Sequence, residues 1–187
     1  MPARLTSENN FRSAILEDIM TLHIVFGPQG AGKTSIAQGM SNLHNATAFS
    51  IDEWMSTMYL PDMPQPMDLG WIMSRVGRCH QRIWATASEI VRHGGSAVLD
   101  LGMPTLNDRT SARSLIETHQ IPAIWHLVTA PAAIRRKRVA KRNAEKGATF
   151  FFEVTPQMFD FMDGRFEEPT EHEVALCNLI DTSQQEA

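Results

Sequence analysis

TLHIVFGPQGAGKTS, residues 21–35, runs from a short, mostly apolar segment straight into three glycines, a lysine and a threonine. Residues 21–26 read as a buried strand and residues 32–42 as a helix, so the glycines fall in the turn between them. Gly27-Pro28-Gln29-Gly30-Ala31-Gly32-Lys33-Thr34 matches the pattern G-x-x-x-x-G-K-[ST] in full, within the strand–turn–helix context that the pattern requires. A loop that wraps a phosphate must aim backbone N–H groups inward, and glycines remove the side chains that would obstruct them. The helix beginning at Gly32 adds the positive end of its dipole. Residues 27–34, with Ser35, are therefore expected to cradle the phosphates of a nucleoside triphosphate. Lys33 is expected to bridge the β- and γ-phosphates, and the Thr34 hydroxyl to ligate Mg²⁺.

The chain has 187 residues, 43% hydrophobic and 20% charged, the size and composition of one ordinary globular domain. Its formal net charge of −4 argues against a nucleic-acid coat or a membrane-surface protein. Cys79 and Cys177 lie far apart, fit no metal-ligand spacing and make no disulfide framework, which points to a reducing cytoplasmic compartment. No apolar run approaches the ~20 residues that a membrane helix needs, and the N-terminal segment has no signal-peptide core. Residues 1–19 are expected to be an extension. They read either as a short amphipathic helix, with Phe11, Ile15, Leu16 and Ile19 on one face, or as an addition ahead of a start at Met20. Residues 20–187 are expected to form a single domain.

Outward from the glycine-rich turn, segments 46–51, 96–102, 123–130 and 174–182 read as further strands. Segment 59–70 holds three prolines and reads as a loop or lid. A long helix is expected over 67–93, where Ile72, Val76, Cys79, Ile83, Ala87 and Ile90 recur at helical spacing before Gly94-Gly95. Residues 105–119 read as a helix. Pro131 opens a basic helix, and Thr155-Pro156 caps and opens another. Five strands separated by helices predict an α/β fold with a mainly parallel sheet and no internal repeat.

The γ-phosphate of a cradled nucleotide has three possible fates. A GTPase switch usually carries Asn-Lys-x-Asp to read guanine, and Asn178-Leu179-Ile180-Asp181 lacks the lysine. A motor ATPase usually ends its third strand in Asp-Glu, whereas here Asp100 is followed by Leu101. A transferase needs a carboxylate beside the γ-phosphate and mobile cations to cover it. Asp52 ends the second strand, at the edge where α/β ligands bind. Arg135, Arg138 and Arg142 fall three and four apart on one helical face.

Four stretches in this order, GPQGAGKT, SIDEW, AVLDLGMP and IRRKRVAKRN, resemble small P-loop kinases of the zeta-toxin and chloramphenicol-phosphotransferase type, within the AAA-type P-loop superfamily. They span most of residues 21–145. The resemblance implies a three-layer α/β/α fold with sheet order 2-3-1-4-5, ATP and Mg²⁺, and a hydroxyl acceptor. It implies Asp52 as catalytic base, Asp100 near the Mg²⁺ shell with Thr34, and a lid at about 131–150. Arg135, Arg138 and Arg142 would then cover the phosphates, with Lys33 and Arg138 acting in catalysis. Residues 181–183 would lie near adenine.

Other readings stay open from the residues alone. Asp52 also suits a helix cap, Asp100 a structural acceptor, and the basic helix a solvated face. The acceptor is expected between Asp52 and segment 53–82, with Trp54 and Arg75 as candidate contacts; Arg75, Arg78 and Arg82 equally suit a solvated stripe. Segment 149–152 reads either as a closure over the nucleotide or as a hydrophobic anchor. His23 and His126 are expected in the core, and no histidine spacing makes a metal motif. Two functions compete with a small-molecule kinase: a nucleic-acid end kinase, which the charge argues against, and a nucleotide-binding regulatory module with little turnover.

Overall fold

In the computed structural model the described residues are 20–147 and 149–184; the expectation for residues 1–19 lies outside them. Strand β1 (Leu22–Phe26) leads to helix α1 (Lys33–Leu43), then β2 (Thr47–Ser50) and α2 (Ile51–Met58). A short 3₁₀ turn (Leu60–Asp62) precedes the long α3 (Leu69–Arg92) and β3 (Ala97–Gly102). Helix α4 (Leu106–His119), β4 (Ala123–Thr129), α5 (Ala132–Glu145), α6 (Pro156–Gly164), α7 (Glu171–Ala175) and β5 (Cys177–Asp181) complete the order. All strand pairs are parallel, and the sheet order is β2-β3-β1-β4-β5, as the resemblance implied.

Strand alternation sorts the core into two faces. Leu22, Ile24, Phe26, Ala97, Leu99, Trp125 and Leu127 pack with Ile83, Ala87 and Val91 of α3 and Ala112 of α4. Val25, Val98 and Val128 turn the other way, onto Ala37 of α1. Covering both faces of the central strands is what lets them read as near-continuous apolar runs. A smaller cluster, Val139, Val154 and Phe159, ties α5 to α6 through the chain between them. Among the described residues, no helix is long and apolar enough to cross a membrane.

Several boundaries differ from the sequence expectation, and side-chain caps set the two that bear on the site and the last strand. The second strand stops at Ser50, whose hydroxyl accepts from Glu53 N–H, so Ile51 and Asp52 are already helical. The last strand starts at Cys177 and not at 174. Thr170 and Glu173 form a capping box that draws residues 171–175 into α7 first.

His23 and His126 lie in the core as expected, with His23 Nδ1 and His126 Nε2 3.2 Å apart and the His44 ring stacked on His23. Burial, together with the neighbouring His23 and His44, pulls His126 down from 6.5 to about 4. The unfolded chain therefore binds the extra proton between those two values. The folded state is favoured fully above about pH 6.5 and loses this contribution as pH falls toward about 4. By linkage the loss from this one group amounts to roughly 2 kcal/mol at about pH 5. Urea titrations at neutral pH and near pH 5 are expected to show the wild-type stability difference exceeding that of His126→Asn by about this amount.

Candidate active site

The chain leaves β1 at the centre of the sheet and turns through Gly27 into α1. Gly27 has φ 146°, and a Cβ there would sit 2.1 Å from the Val128 carbonyl oxygen of β4. Gly30 has φ 79°, and its Cβ would meet the Arg135 carbonyl oxygen at 2.7 Å. These glycines are thus demanded by the close approach of β4 and α5 as well as by a ligand. Helix α1 begins with no side-chain cap and no acid in its first turn, which leaves its leading N–H groups open to an anion. The Lys33 ammonium donates to the Pro28 carbonyl at 3.0 Å, across the loop it belongs to. The Thr34 hydroxyl donates to Asp100 Oδ2 at 2.7 Å.

Three charged side chains converge here. Burial pulls Lys33 below an ordinary lysine; the carboxylates of Asp100 and Asp52 oppose this, and Arg135 and Arg142 add to it. Burial pushes Asp52 above the usual carboxylate range, and the Asp100 charge pushes the same way; Lys33 and Arg142 pull it back. Asp100, buried in the second half of β3, is also pushed up by burial and held back by Lys33 and the Thr34 hydrogen bond. Asp52 occupies the first turn of α2, but Ser50 performs the capping, so the Asp52 carboxylate is not needed at the helix end.

Thr34 and Asp100 offer hard oxygen ligands on adjoining elements, the donor chemistry Mg²⁺ takes. Among the described residues no group of three or more His, Cys, Asp or Glu gathers to hold a metal.

The arginines on one face of α5 have different surroundings. Arg135 is buried; it donates to the carbonyls of Ala130 (2.9 Å) and Gln29 (3.1 Å) and pairs with Asp163 of α6 at 2.5 Å. Arg138 grips Thr182, donating to its hydroxyl at 2.8 Å and to its carbonyl. The Thr182 hydroxyl in turn donates to the Ala31 carbonyl at 2.8 Å, so the end of β5 supports the loop from beneath. Arg142 is half-buried and close enough to feel the Asp52 carboxylate, and its Nε has no hydrogen-bond partner among the described residues. Sequence reasoning named all three arginines. It missed Asp163, whose partner lies 28 residues away, and it named Thr182 only within segment 181–183, without the bond to Arg138, 44 residues away.

Helix α2 carries Asp52 and, two residues on, Trp54. Trp54 packs edge-on against Phe49 and joins the core. Arg75 of α3 stacks on Trp71, with Cζ 3.8 Å from the ring centroid. The segment after α5 is anchored at both ends. Asn143 pairs with both backbone groups of Val154, at 2.8 and 3.2 Å, and Ser56 of α2 donates to the Phe151 carbonyl at 2.9 Å. Phe152 joins the Val139–Phe159 cluster. Residues 149–152 therefore bridge α5 to α2, a link that neither Ser56 nor Asn143 signals in sequence. A groove of about 530 Å³ between α3 and α4 lies apart from the glycine-rich loop; His80, Trp84, Met103 and Leu115 are among its walls.

Among curated proteins no sequence matches this chain. Three solved structures share its fold. A candidate kinase from Chloroflexus aurantiacus aligns with TM-score 0.68 and 18% identity over 89% of this chain and 91% of its own. The Mycobacterium tuberculosis APS kinase CysC, in complex with AMPPNP and APS, aligns with TM-score 0.59 and 16% identity over 90% and 91%. A gluconokinase from Sinorhizobium meliloti aligns with TM-score 0.60 and 12% identity over 89% and 85%. At these identities the likeness is one of fold. The glycine-rich loop, with Lys33 and Thr34 at the start of α1, makes this a nucleotide-binding P-loop domain. The AAA domain family matches residues 22–169, and the chain belongs to that family.

Proposed function

We propose that the protein is an ATP- and Mg²⁺-dependent phosphotransferase that phosphorylates a hydroxyl of a small molecule, a kinase of the zeta-toxin and chloramphenicol-phosphotransferase type. The observation that carries this is the meeting of Lys33, Asp52 and Asp100 at the P-loop, with Asp52 released from capping by Ser50. A hydrolytic switch has no use for a second, half-buried carboxylate of raised proton affinity beside the cradle; a transferase needs one to receive a proton. The kinase neighbours of the same fold agree with this reading. Residues 20–187 act as one domain, with 131–150 as its lid. The free thiols Cys79 and Cys177 suit a reducing cytoplasm.

In this mechanism the backbone of residues 27–35 and Lys33 hold the β- and γ-phosphates. Thr34 and Asp100 hold Mg²⁺, which when bound neutralises charge on the phosphate oxygens. Asp52 takes the proton of the acceptor hydroxyl as its oxygen forms the new bond to the γ-phosphorus. The bond to the bridging oxygen breaks, and ADP leaves with that electron pair. Arg135 and Arg138 shape the wall under the phosphates. Arg142, with its unengaged Nε near Asp52, is the cation placed to meet the transferring group.

The test is ADP release from Mg·ATP with and without pooled hydroxyl metabolites, antibiotics and nucleosides. One pool is expected to raise the rate. Lys33→Ala should abolish nucleotide binding. Asp52→Asn should keep nucleotide affinity and lower acceptor-dependent turnover by about 10²- to 10⁴-fold, the usual worth of a positioned base. No stimulation by any pool, with Asp52→Asn matching wild type, would instead mark a nucleotide-binding regulatory module.

The pH profile supplies a second check. The Asp52 carboxyl must lose its proton to act, and burial together with Asp100 holds that proton on. The acid limb of kcat/KM is therefore expected above the ordinary aspartate value of about 3.9. The residual activity of Asp52→Asn should lack that limb. A profile flat through the acid range would remove Asp52 from the role of base.

A further inference from the structure

Asp52, Ser56 and Tyr59 fall at positions i, i+4 and i+7 along and just beyond α2, so they share one face. Following that face away from Asp52 leads past Ser56, which holds the Phe151 carbonyl, to the Tyr59 ring. At 1.5 Å per residue the walk covers about 10 Å. The Tyr59 ring meets Trp71 edge-on, with centroids 6.3 Å apart, and Arg75 lies flat on Trp71. A guanidinium thus waits at the far end of the surface that begins with the proposed base.

The state of that guanidinium is informative. Arg75 Nη1 donates to the Trp71 carbonyl of its own helix at 3.2 Å, which fixes the plane of the fork. Its Nε is buried and has no hydrogen-bond partner among the described residues. Among those residues no carboxylate lies within ion-pair distance of Arg75 or of Arg78, whose Cζ is 6.0 Å from the Tyr59 ring centroid. Asp68, the acid nearest in sequence, is engaged as the cap of α3 through the Trp71 N–H. A buried donor without an acceptor is costly and rare. An arginine whose plane is already fixed offers its Nη2 to a carboxylate or phosphate, and a ligand that uncovers the buried Nε completes a bidentate pair and satisfies the unpartnered donor.

We infer that the acceptor carries an anionic group, carboxylate or phosphate, which Arg75 binds on the Trp71 platform while the acceptor hydroxyl reaches Asp52. This inference rests on the phosphotransferase reading and narrows its substrate class to hydroxy acids and phosphorylated alcohols. Arg82, farther along the same helix and exposed, takes no part.

The experiment measures binding to protein saturated with Mg·AMPPNP, so that the P-loop is filled and cannot take the probe. Three matched pairs differ in the anionic group: gluconate and sorbitol, glycerol 3-phosphate and glycerol, uridine monophosphate and uridine. In at least one pair the anionic member is expected to bind about ten- to hundredfold more tightly, the range of a charge-assisted hydrogen bond. Arg75→Gln should erase that preference, Arg75→Lys should restore part of it, and Arg82→Gln should leave it intact. No anionic preference in any pair overturns the inference, as does equal loss in Arg75→Gln and Arg82→Gln. Adding ATP separates the two readings. Phosphoryl transfer to a neutral alcohol, unaffected by Arg75→Gln, overturns the anionic acceptor and leaves the phosphotransferase standing. Arg75-dependent anion binding with no transfer to any bound probe supports the anion seat and counts against the phosphotransferase.

Discussion

The ammonium of Lys33, half-buried and donating to the Pro28 carbonyl, feels the carboxylates of both Asp52 and Asp100, and much of the surrounding structure serves to hold that arrangement. Each of these groups would be costly to bury alone. Together they share a net charge near that of one carboxylate, with Arg142 at hand to offset it. Nothing local in the chain brings them together. Lys33 starts α1, Asp52 lies in the first turn of α2 and Asp100 lies in the second half of β3. What aligns them is the parallel sheet, which delivers the carboxyl ends of β1, β2 and β3 to one edge. The fold and the charge cluster are therefore one constraint seen at two scales.

A loop that must present N–H groups cannot bury many side chains of its own, so its rigidity has to come from outside. Here it comes from carbonyl groups. The outward carbonyls of Gln29 and Ala31 are taken by Arg135 and Thr182, and the inward one of Pro28 by Lys33. Arg135 is in turn oriented by Asp163, and the Thr182 hydroxyl by Arg138. Backing the loop through its C=O groups leaves the N–H groups of the α1 N-terminus uncommitted, which is the polarity an anion site requires. It also explains why three arginines at equivalent spacing on one helix have unequal surroundings. Arg135 and Arg138 meet protein acceptors, and Arg142 alone keeps a buried Nε without one among the described residues.

The glycine-rich loop was legible in full because its signal is local: residue types, spacing, and the change from strand to helix all lie within fifteen residues. Strand count and parallel direction were legible for a similar reason, since alternating apolar strands and helices admit few arrangements, whereas the strand order came from the family resemblance. The boundaries at Asp52 and residue 174 were misplaced because Ser50 and the Thr170–Glu173 box compete with the strand pattern, and side-chain caps win over periodicity within one turn. The jobs of the arginines were not legible. Arg135 binds a carbonyl 106 residues away, and no local pattern encodes that partner. The unpartnered Arg75 Nε was equally invisible, because a missing acceptor has no sequence signature.

The bridge over the cleft shows how such a site can stay closed without being locked. Its α5 end is fastened twice, as Asn143 satisfies both the N–H and the C=O of Val154 and so imitates a strand neighbour, while Phe152 is sunk beside Val139 and Phe159. Among the described residues its α2 end is fastened by a single hydrogen bond, from Ser56 to the Phe151 carbonyl. A neutral hydrogen bond exchanged for one to water contributes only about 1 kcal/mol net. Breaking the single bond therefore costs far less than pulling the Val154 end and its aromatic anchor apart. Opening is cheapest at the α2 end, the side on which Asp52 faces the cleft. An acceptor that offers its own hydrogen bond to Ser56 would meet almost no net cost in displacing Phe151. Water entering there would gain nothing comparable from the apolar walls of residues 150–152. The asymmetry among the described residues thus favours exchange on the side of α2, while the α5 side, which carries the arginines, stays in place.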